Sequence, residues 1–236
     1  MHLLSGSPTL GMLSQAVEDY LKTIYRLHAE SGTGDAVATS DIARALEVSA
    51  ASVTNMVKRL DQLGLAEYQS YKGVTLTTAG EKIALEIIRH HRLLELYLKE
   101  MLGYSWDKIH DEAEHLEHHI SEEFEAKIEE MLGYPTHDPH GDPIPTRDGQ
   151  IAATATDPLS AVDSGETVMI HRVSDANPDL LHYLESIGLL PRTVLTVVER
   201  APFNGPLTVR VANAEQVVGH EVASQVFIGP LDGDNA

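Results

Sequence analysis

Apolar residues recur at every third or fourth position over most of the chain as far as about Leu132, and from Thr167 a strand-like pattern takes over, so a mainly helical chain with a β tail is expected. A first helix is expected from about Leu13 to Glu30, on Val17, Leu21, Ile24, Tyr25 and Leu27, closed by Ser31-Gly32-Thr33-Gly34. Thr39 or Ser40 is expected to cap a short helix, Asp41 to Leu46, with Glu47-Val48 as a tight turn. Ser49 caps the next helix, whose Val53, Met56, Val57 and Leu60 face inward, and Gly64 ends it. Two β-like runs, Ala66–Tyr71 and Val74–Thr77, meet at Lys72-Gly73. Helix, turn, helix and two-stranded wing is the order of a winged helix-turn-helix.

Thr78 opens a long helix to about Leu102, Gly103 breaks it, and Ser105 starts another expected to reach Leu132. Residues 135–149 form a connector rich in Pro, Gly, Asp and His. Strands follow over Thr167–Val173, Val194–Glu199, Leu207–Val211 and Val226–Ile228, interrupted by a short helix from Pro178 to Ile187. Short strands at this spacing suggest a small β-barrel. The fold class is thus mainly α with a β tail, divided into residues 1–80, 81–149 and 150–236.

Charge is uneven along this frame. The chain carries a net −19 with no cysteine, which excludes disulfides, zinc ribbons, iron–sulfur clusters and thiol nucleophiles. Residues 1–90 hold 8 Lys/Arg against 10 Asp/Glu, whereas residues 91–150 hold 5 against 15. An acidic total argues against nucleic acid, but the near-neutral first third does not. Of the 13 histidines, 8 fall between His90 and His140, within the most acidic stretch. Carboxylates mixed with imidazoles are what a divalent ion requires. No apolar run approaches the roughly 20 residues of a membrane span. Met1 to Leu13 lacks the basic start of a secretory signal, so a cytoplasmic location is expected.

In a helix-turn-helix the second helix enters the major groove. Its exposed face here is expected to offer Ser49, Ala51, Ser52, Thr54 and Asn55 to base edges, with Lys58 and Arg59 for phosphates. Thr39 and the wing's Lys72 are further DNA-contact candidates.

His110, Glu114, Glu117 and His118 are spaced i, i+4, i+7 and i+8, which places them on one face of a helix. On the preceding helix His91 and Glu95 form an i, i+4 pair. A single His–Glu pair is usually a solvated face, but two carboxylates and two imidazoles on one stripe, with a second His–Glu pair on the preceding helix, favour metal. A metallohydrolase or ferritin-like oxidase is disfavoured, because no His-Glu-x-x-His occurs and Glu112-x-x-His115 has no copy on another helix. A winged-helix regulator gated by a small organic ligand stays open at this point. Chelator sensitivity of DNA binding separates the two.

Over nearly its whole length the chain resembles the diphtheria toxin repressor and manganese-responsive repressor family. The motifs that carry the resemblance are Glu18-Asp19-Tyr20-Leu21-Lys22-Thr23-Ile24-Tyr25, the helix from Ser49 to Leu65, His90-His91-Arg92-Leu93-Leu94-Glu95, the run from His110 to His118, and Pro139-His140-Gly141-Asp142-Pro143-Ile144-Pro145. The resemblance implies a metal-activated, homodimeric regulator of metal homeostasis that binds double-stranded operator DNA and represses metal-uptake genes, with no enzymatic activity. It implies a winged helix-turn-helix head, a helical dimerisation and metal-binding middle, and an SH3-like tail. It also implies a primary site of Asp19, Glu114, Glu117 and His118. The ancillary site would be His91, Glu95 and His110, completed by Asp175, with Asp179 in reserve.

Where iron-type members carry Met and Cys in the primary site, Asp19 and Glu114 stand here, which favours Mn2+. Fe2+ is the alternative, and Zn2+ or Co2+ can substitute. Lys22 occupies the position where manganese-type members often carry a second acid, which argues against a two-metal cluster of that style. His137 and His140 are expected to belong to a rigid linker.

Overall fold

The computed structural model describes residues 13–32 and 34–231, so the readings of residues 1–12 and of Thr33 lie outside it. The chain divides into two compact units, Met1–His90 with Pro145–Gln150, and His91–Ile144 with Ile151–Ala236.

The first unit contains α1 (Gln15–Ser31), α2 (Thr39–Ala45), α3 (Ala50–Gln62), β1 (Ala66–Gln69), β2 (Gly73–Leu76) and the first half of α4 (Thr78–Leu102). Its core is apolar: Val17, Leu21, Ile24, Ile42, Val53, Val57, Leu60 and Val74 are fully buried. Each such side chain contributes about 1.5–3 kcal/mol. One expected start is corrected. α2 begins at Thr39, behind Ala38, and no side chain caps it; the amides of Asp41 and Ile42 donate to the Ala38 carbonyl instead. Ser49 does cap α3, its Oγ accepting from the Ser52 amide at 3.2 Å.

The wing is a hairpin in register Ala66↔Leu76 to Gln69↔Gly73, and Val37 pairs with Val74 beside it. Its turn lies one residue earlier than expected, around Tyr71, whose φ is +65°. Gly73 stands where a Cβ would come 2.5 Å from the Val37 carbonyl oxygen, so only glycine fits. Thr77 ties the wing to α4 by donating to the Gly64 carbonyl and accepting from the Gly80 amide.

The second unit begins with the rest of α4, followed by α5 (Ile109–Leu116) and α6 (Glu122–Met131). The single helix expected from Ser105 to Leu132 is therefore two. Residues 117–119 form a turn, and Ser121 caps the new helix by accepting from the Phe124 amide at 3.2 Å. A side-chain cap of this kind satisfies an amide that would otherwise lack a partner, and it stabilises the new start by about 1 kcal/mol.

After the connector come β3 (Asp157–Pro158), a 3-10 turn (Leu159–Ala161), β4 (Thr167–Val173), α7 (Pro178–Ser186), β5 (Val194–Arg200), β6 (Leu207–Val211), β7 (Ala214–Val218), α8 (His220–Ala223) and β8 (Val226–Gly229). The sheet runs β3-β8-β4-β5-β6-β7, every pair antiparallel. Register shifts at Ile170/Arg172 and Val197/Glu199 bend it. A single apolar cluster joins Leu93, Leu94, Trp106, Ile109 and Ile128 of the helical part to Leu159, Ile170, Val173, Leu195 and Val209 of the sheet part. No helix among the described residues is long and apolar enough to cross a membrane.

Candidate metal centre and DNA-reading helix

Ser49, Ala51, Ser52, Asn55, Lys58 and Arg59 are exposed along α3, and Thr54 is half-buried, its hydroxyl donating back to the Ala50 carbonyl. Thr39 opens α2 and is half-buried, and Lys72 is exposed in the wing turn. The inward face is Val53, Val57 and Leu60. The polar face expected from the sequence is thus displayed on one side of a helix anchored from the other.

The acidic imidazole-bearing cluster lies in the second unit and is built around His91. Its Nδ1 stands 2.6 Å from Glu117 Oε2 and its Nε2 2.9 Å from Glu95 Oε1. His110 Nδ1 lies 3.2 Å from the same Glu95 oxygen, with the two imidazoles edge to face at 4.8 Å. Glu114 Oε1 stands 3.9 Å from His91 Nδ1 and 3.8 Å from His110 Nε2. One ring nitrogen each of His91 and His110 and a carboxylate oxygen of Glu114 fall within 4.8 Å of one another. Ligands bonded at roughly 2.1 Å stand at most about 4.2 Å apart, so an ion requires these side chains to move by only a fraction of an ångström. Glu117 caps α5, and His118 lies in the turn behind it. Asp19 stands half-buried on α1 in the first unit.

A second cluster contains a residue assigned to the linker at the level of sequence. Glu95, His140 and Asp175 bring one ligand atom each within 4.8 Å of one another. His140 and Glu95 are completely buried, and His140 Nδ1 lies 3.5 Å from Glu95 Oε2. That distance is too long for a well-formed hydrogen bond. Both His140 nitrogens and Glu95 Oε2 accordingly lack a hydrogen-bond partner. Asp175 thus stands with His140 rather than with His110. The reserve candidate Asp179 sits in the first turn of α7, its amide held by Asn177, and joins neither cluster.

The connector is braced around this cluster. Asp138 Oδ1 accepts from the His140 and Asp142 amides at 2.8 and 2.9 Å. Arg92 reaches Asp138 and Asp142 at 3.5 and 3.4 Å, and Arg172 meets Asp142 from β4 at 3.7 Å. The Val173 amide donates to the His140 carbonyl at 2.9 Å. At Gly141, with φ +92°, a Cβ would lie 1.9 Å from the His171 carbonyl oxygen.

The electrostatics follow from crowding charges out of water. Burial alone raises the Glu95 carboxyl, but His91, His110 and His140 hold it well below the ordinary range. Burial works to lower His140, yet Glu95, Asp138 and Asp175 raise it above the usual imidazole value. Asp138, buried beside Asp142 and Glu95, is pushed up to about 7. A cation would relieve the mutual repulsion of these carboxylates.

Three family descriptions match along the chain. Residues 12–74 match "Iron dependent repressor, N-terminal DNA binding domain", residues 77–146 "Iron dependent repressor, metal binding and dimerisation domain", and residues 158–230 "FeoA domain". The chain is 31% identical to the iron-dependent repressor IdeR of Mycobacterium leprae, over 92% of this chain and 97% of that one. It is 37% identical to the HTH-type transcriptional regulator MntR of Bacillus subtilis, over 52% of this chain and 84% of that one. Among solved structures, one of a manganese-dependent transcriptional repressor in complex with manganese is similar at TM-score 0.82 and 38% identity, covering 91% of this chain and 100% of the other. The repressor ScaR with bound Cd2+ is similar at TM-score 0.75 and 32% identity, over 91% and 99% of the two chains.

Proposed function

The chain belongs to the diphtheria toxin repressor and manganese-responsive repressor family of metal-dependent, DNA-binding transcriptional repressors, and from that premise we propose that Mn2+ is its activating ion, held by Asp19, Glu114, Glu117 and His118. The observation that carries this reading is the donor chemistry. The chain has no cysteine, and every proposed ligand is a carboxylate or an imidazole. Hard oxygen donors suit manganese, whereas sulfur would favour softer ions. The bound ion supplies positive charge that the carboxylates share.

His91 and His110 lie against Glu114, and Glu95 and Asp175 lie against His140, which supports an ancillary ion at Glu95, His140 and Asp175 in place of the set expected from the sequence. The buried, unbonded His140 nitrogens and Glu95 Oε2 favour that assignment, since buried polar atoms ordinarily find partners.

In this reading Asp19 links the head to the metal-binding middle. Residues 1–80 read DNA, 81–149 bind metal and dimerise, and 150–236 complete the ancillary site. A homodimer sets two copies of α3 in successive major grooves of a two-fold operator. Ser49, Ala51, Ser52, Thr54 and Asn55 meet base edges, and Lys58, Arg59, Thr39 and Lys72 meet phosphates. The protein acts in the cytoplasm without catalysis, repressing metal-uptake genes when loaded.

Iron is the second reading, favoured by the full-length relative from Mycobacterium leprae that is an iron-dependent repressor. Titration of operator-fragment binding against Mn2+, Fe2+ and Zn2+, each at buffered free concentration, decides between them. Mn2+ is expected to drive binding at physiological free levels. Asp19→Ala should abolish that response and leave the dimer intact. DNA binding by this variant that still depended on metal would sink the bridging role of Asp19.

A further inference from the structure

Histidines that hold a metal ordinarily have their ring orientation fixed by a hydrogen bond from the second nitrogen to a carboxylate or carbonyl. His91 has such contacts on both nitrogens, to Glu117 and Glu95. His140, completely buried, has no well-formed hydrogen bond on either nitrogen, only a long 3.5 Å approach of Nδ1 to Glu95 Oε2. What touches its ring face is Trp106, the one tryptophan of the chain, stacked at a centroid distance of 5.3 Å and an interplanar angle of 24°. Trp106 is itself buried, at 1% exposure, in the turn between α4 and α5. Its Nε1 has no hydrogen-bond partner, and Lys99 Nζ lies 5.4 Å from the ring centroid. An indole that is placed by its faces rather than by its N–H is serving as a flat wall.

We propose that Trp106 is a positioning residue for the ancillary ion, its indole face fixing the plane of His140 so that an imidazole lone pair points between Glu95 and Asp175. An imidazole donates only in its ring plane, so a ring held nearly parallel to the indole keeps its lone pairs in a set plane. Pivoting about the Cβ bond would swing the donor out of reach of the two carboxylates. The stack therefore does for His140 what a hydrogen bond does for His91. It also makes Trp106 emission an internal reporter of that cluster, since a paramagnetic ion bound to His140 sits one ring away from the indole. The inference rests on the reading of Glu95, His140 and Asp175 as an ion site.

The test uses the full chain and Mn2+ alone. Bound ions are counted by equilibrium dialysis while Trp106 emission is followed in the same titration. Native protein is expected to show saturable quenching whose midpoint coincides with the class of Mn2+ that is lost in His140→Ala. Trp106→Leu, which keeps an apolar side chain but no flat face, should weaken that class by about tenfold and leave the remaining ions unchanged. Trp106→Phe, which restores an aromatic face, should recover most of the affinity.

If His140→Ala loses no class of Mn2+, the ion site itself is refuted and the role of Trp106 goes with it. If the class is lost in His140→Ala but Trp106→Leu binds it as tightly as the native chain, the positioning role alone is overturned. A Trp106→Leu variant that loses every class of Mn2+ alike, together with metal-free thermal stability, shows a merely structural tryptophan and also overturns it. Quenching in the native chain that does not follow the His140-dependent class does the same without any tryptophan variant.

Discussion

The two compact units differ in how many ionisable groups they bury. The first closes over Val17, Leu21, Ile24, Val53, Val57 and Leu60, buries Glu18, Lys22, Arg89 and His90 beside them, and leaves most of its proposed DNA-facing groups in solvent. The second also has an apolar cluster, but beside it lie His91, Glu95, Glu117, Asp138, His140 and Asp142, all buried. Burying charge costs several kcal/mol per group unless a partner compensates. Among the described residues the second unit retains seven such groups, with Glu125, against four in the first, and is arranged for a ligand rather than for maximum stability. The first unit should therefore have a fixed stability, and the second one a conditional stability.

The largest expected effect tests the fixed half. Leu60→Ala should destabilise the first unit by about 2–5 kcal/mol, equally in Mn2+ and in chelator, as read by denaturant unfolding. A loss that shrank on adding Mn2+ would break the contrast. Next, Mn2+ at about a hundredfold over its Kd should add about 2.7 kcal/mol per ion to the second unit. Amide exchange in α5 and β4 reads it directly, and protection there that ignored metal would contradict a conditional stability.

The pH dependence sharpens the comparison further. His140 is raised, so in metal-free protein its contribution is complete below about 6.5 and is lost as pH climbs through the folded value. Asp138, ordinarily near 3.8 and about 7 when folded, holds a proton that the unfolded chain has released, so between those values stability falls as pH rises. Glu95 is lowered, and its contribution fades only as pH falls below about 4.5. Metal-free protein should accordingly lose stability in the second unit between about pH 5 and pH 8. With Mn2+ the slope should reverse, because ligands must shed protons to bind. Thermal melts at both pH values, with and without metal, check the sign. Last and smallest, Ser121→Ala should cost about 1 kcal/mol through loss of the α6 cap, with Mn2+ stoichiometry retained.

The head was legible in the sequence because its stability follows local rules: helical period, the Ser49 cap, Gly64 as terminator. The break between α5 and α6 was missed because apolar residues continue across it at Leu116, Ile120 and Phe124, while the cap signal of Ser121 sits inside a charged run. β7 was missed because Ala214-Glu215-Gln216-Val217-Val218 is a largely exposed edge strand without clear alternation. His91, Glu95, His110 and Glu114 were legible because helical spacing puts them on facing stripes. His140 was not, since no local spacing links it to Glu95, 45 positions away, or to Asp175. The usable signal was its neighbour: a connector glycine at positive φ marks a place where the backbone is pressed against something.

That glycine has a consequence beyond fit. With no room for even a methyl group between Gly141 and β4, the connector cannot slip by one residue along the strand without forcing a side chain into the carbonyl of His171. The contact acts as a ratchet tooth with a single notch. The outer loops of the tail are free to vary while the imidazole next to the tooth stays in one alignment.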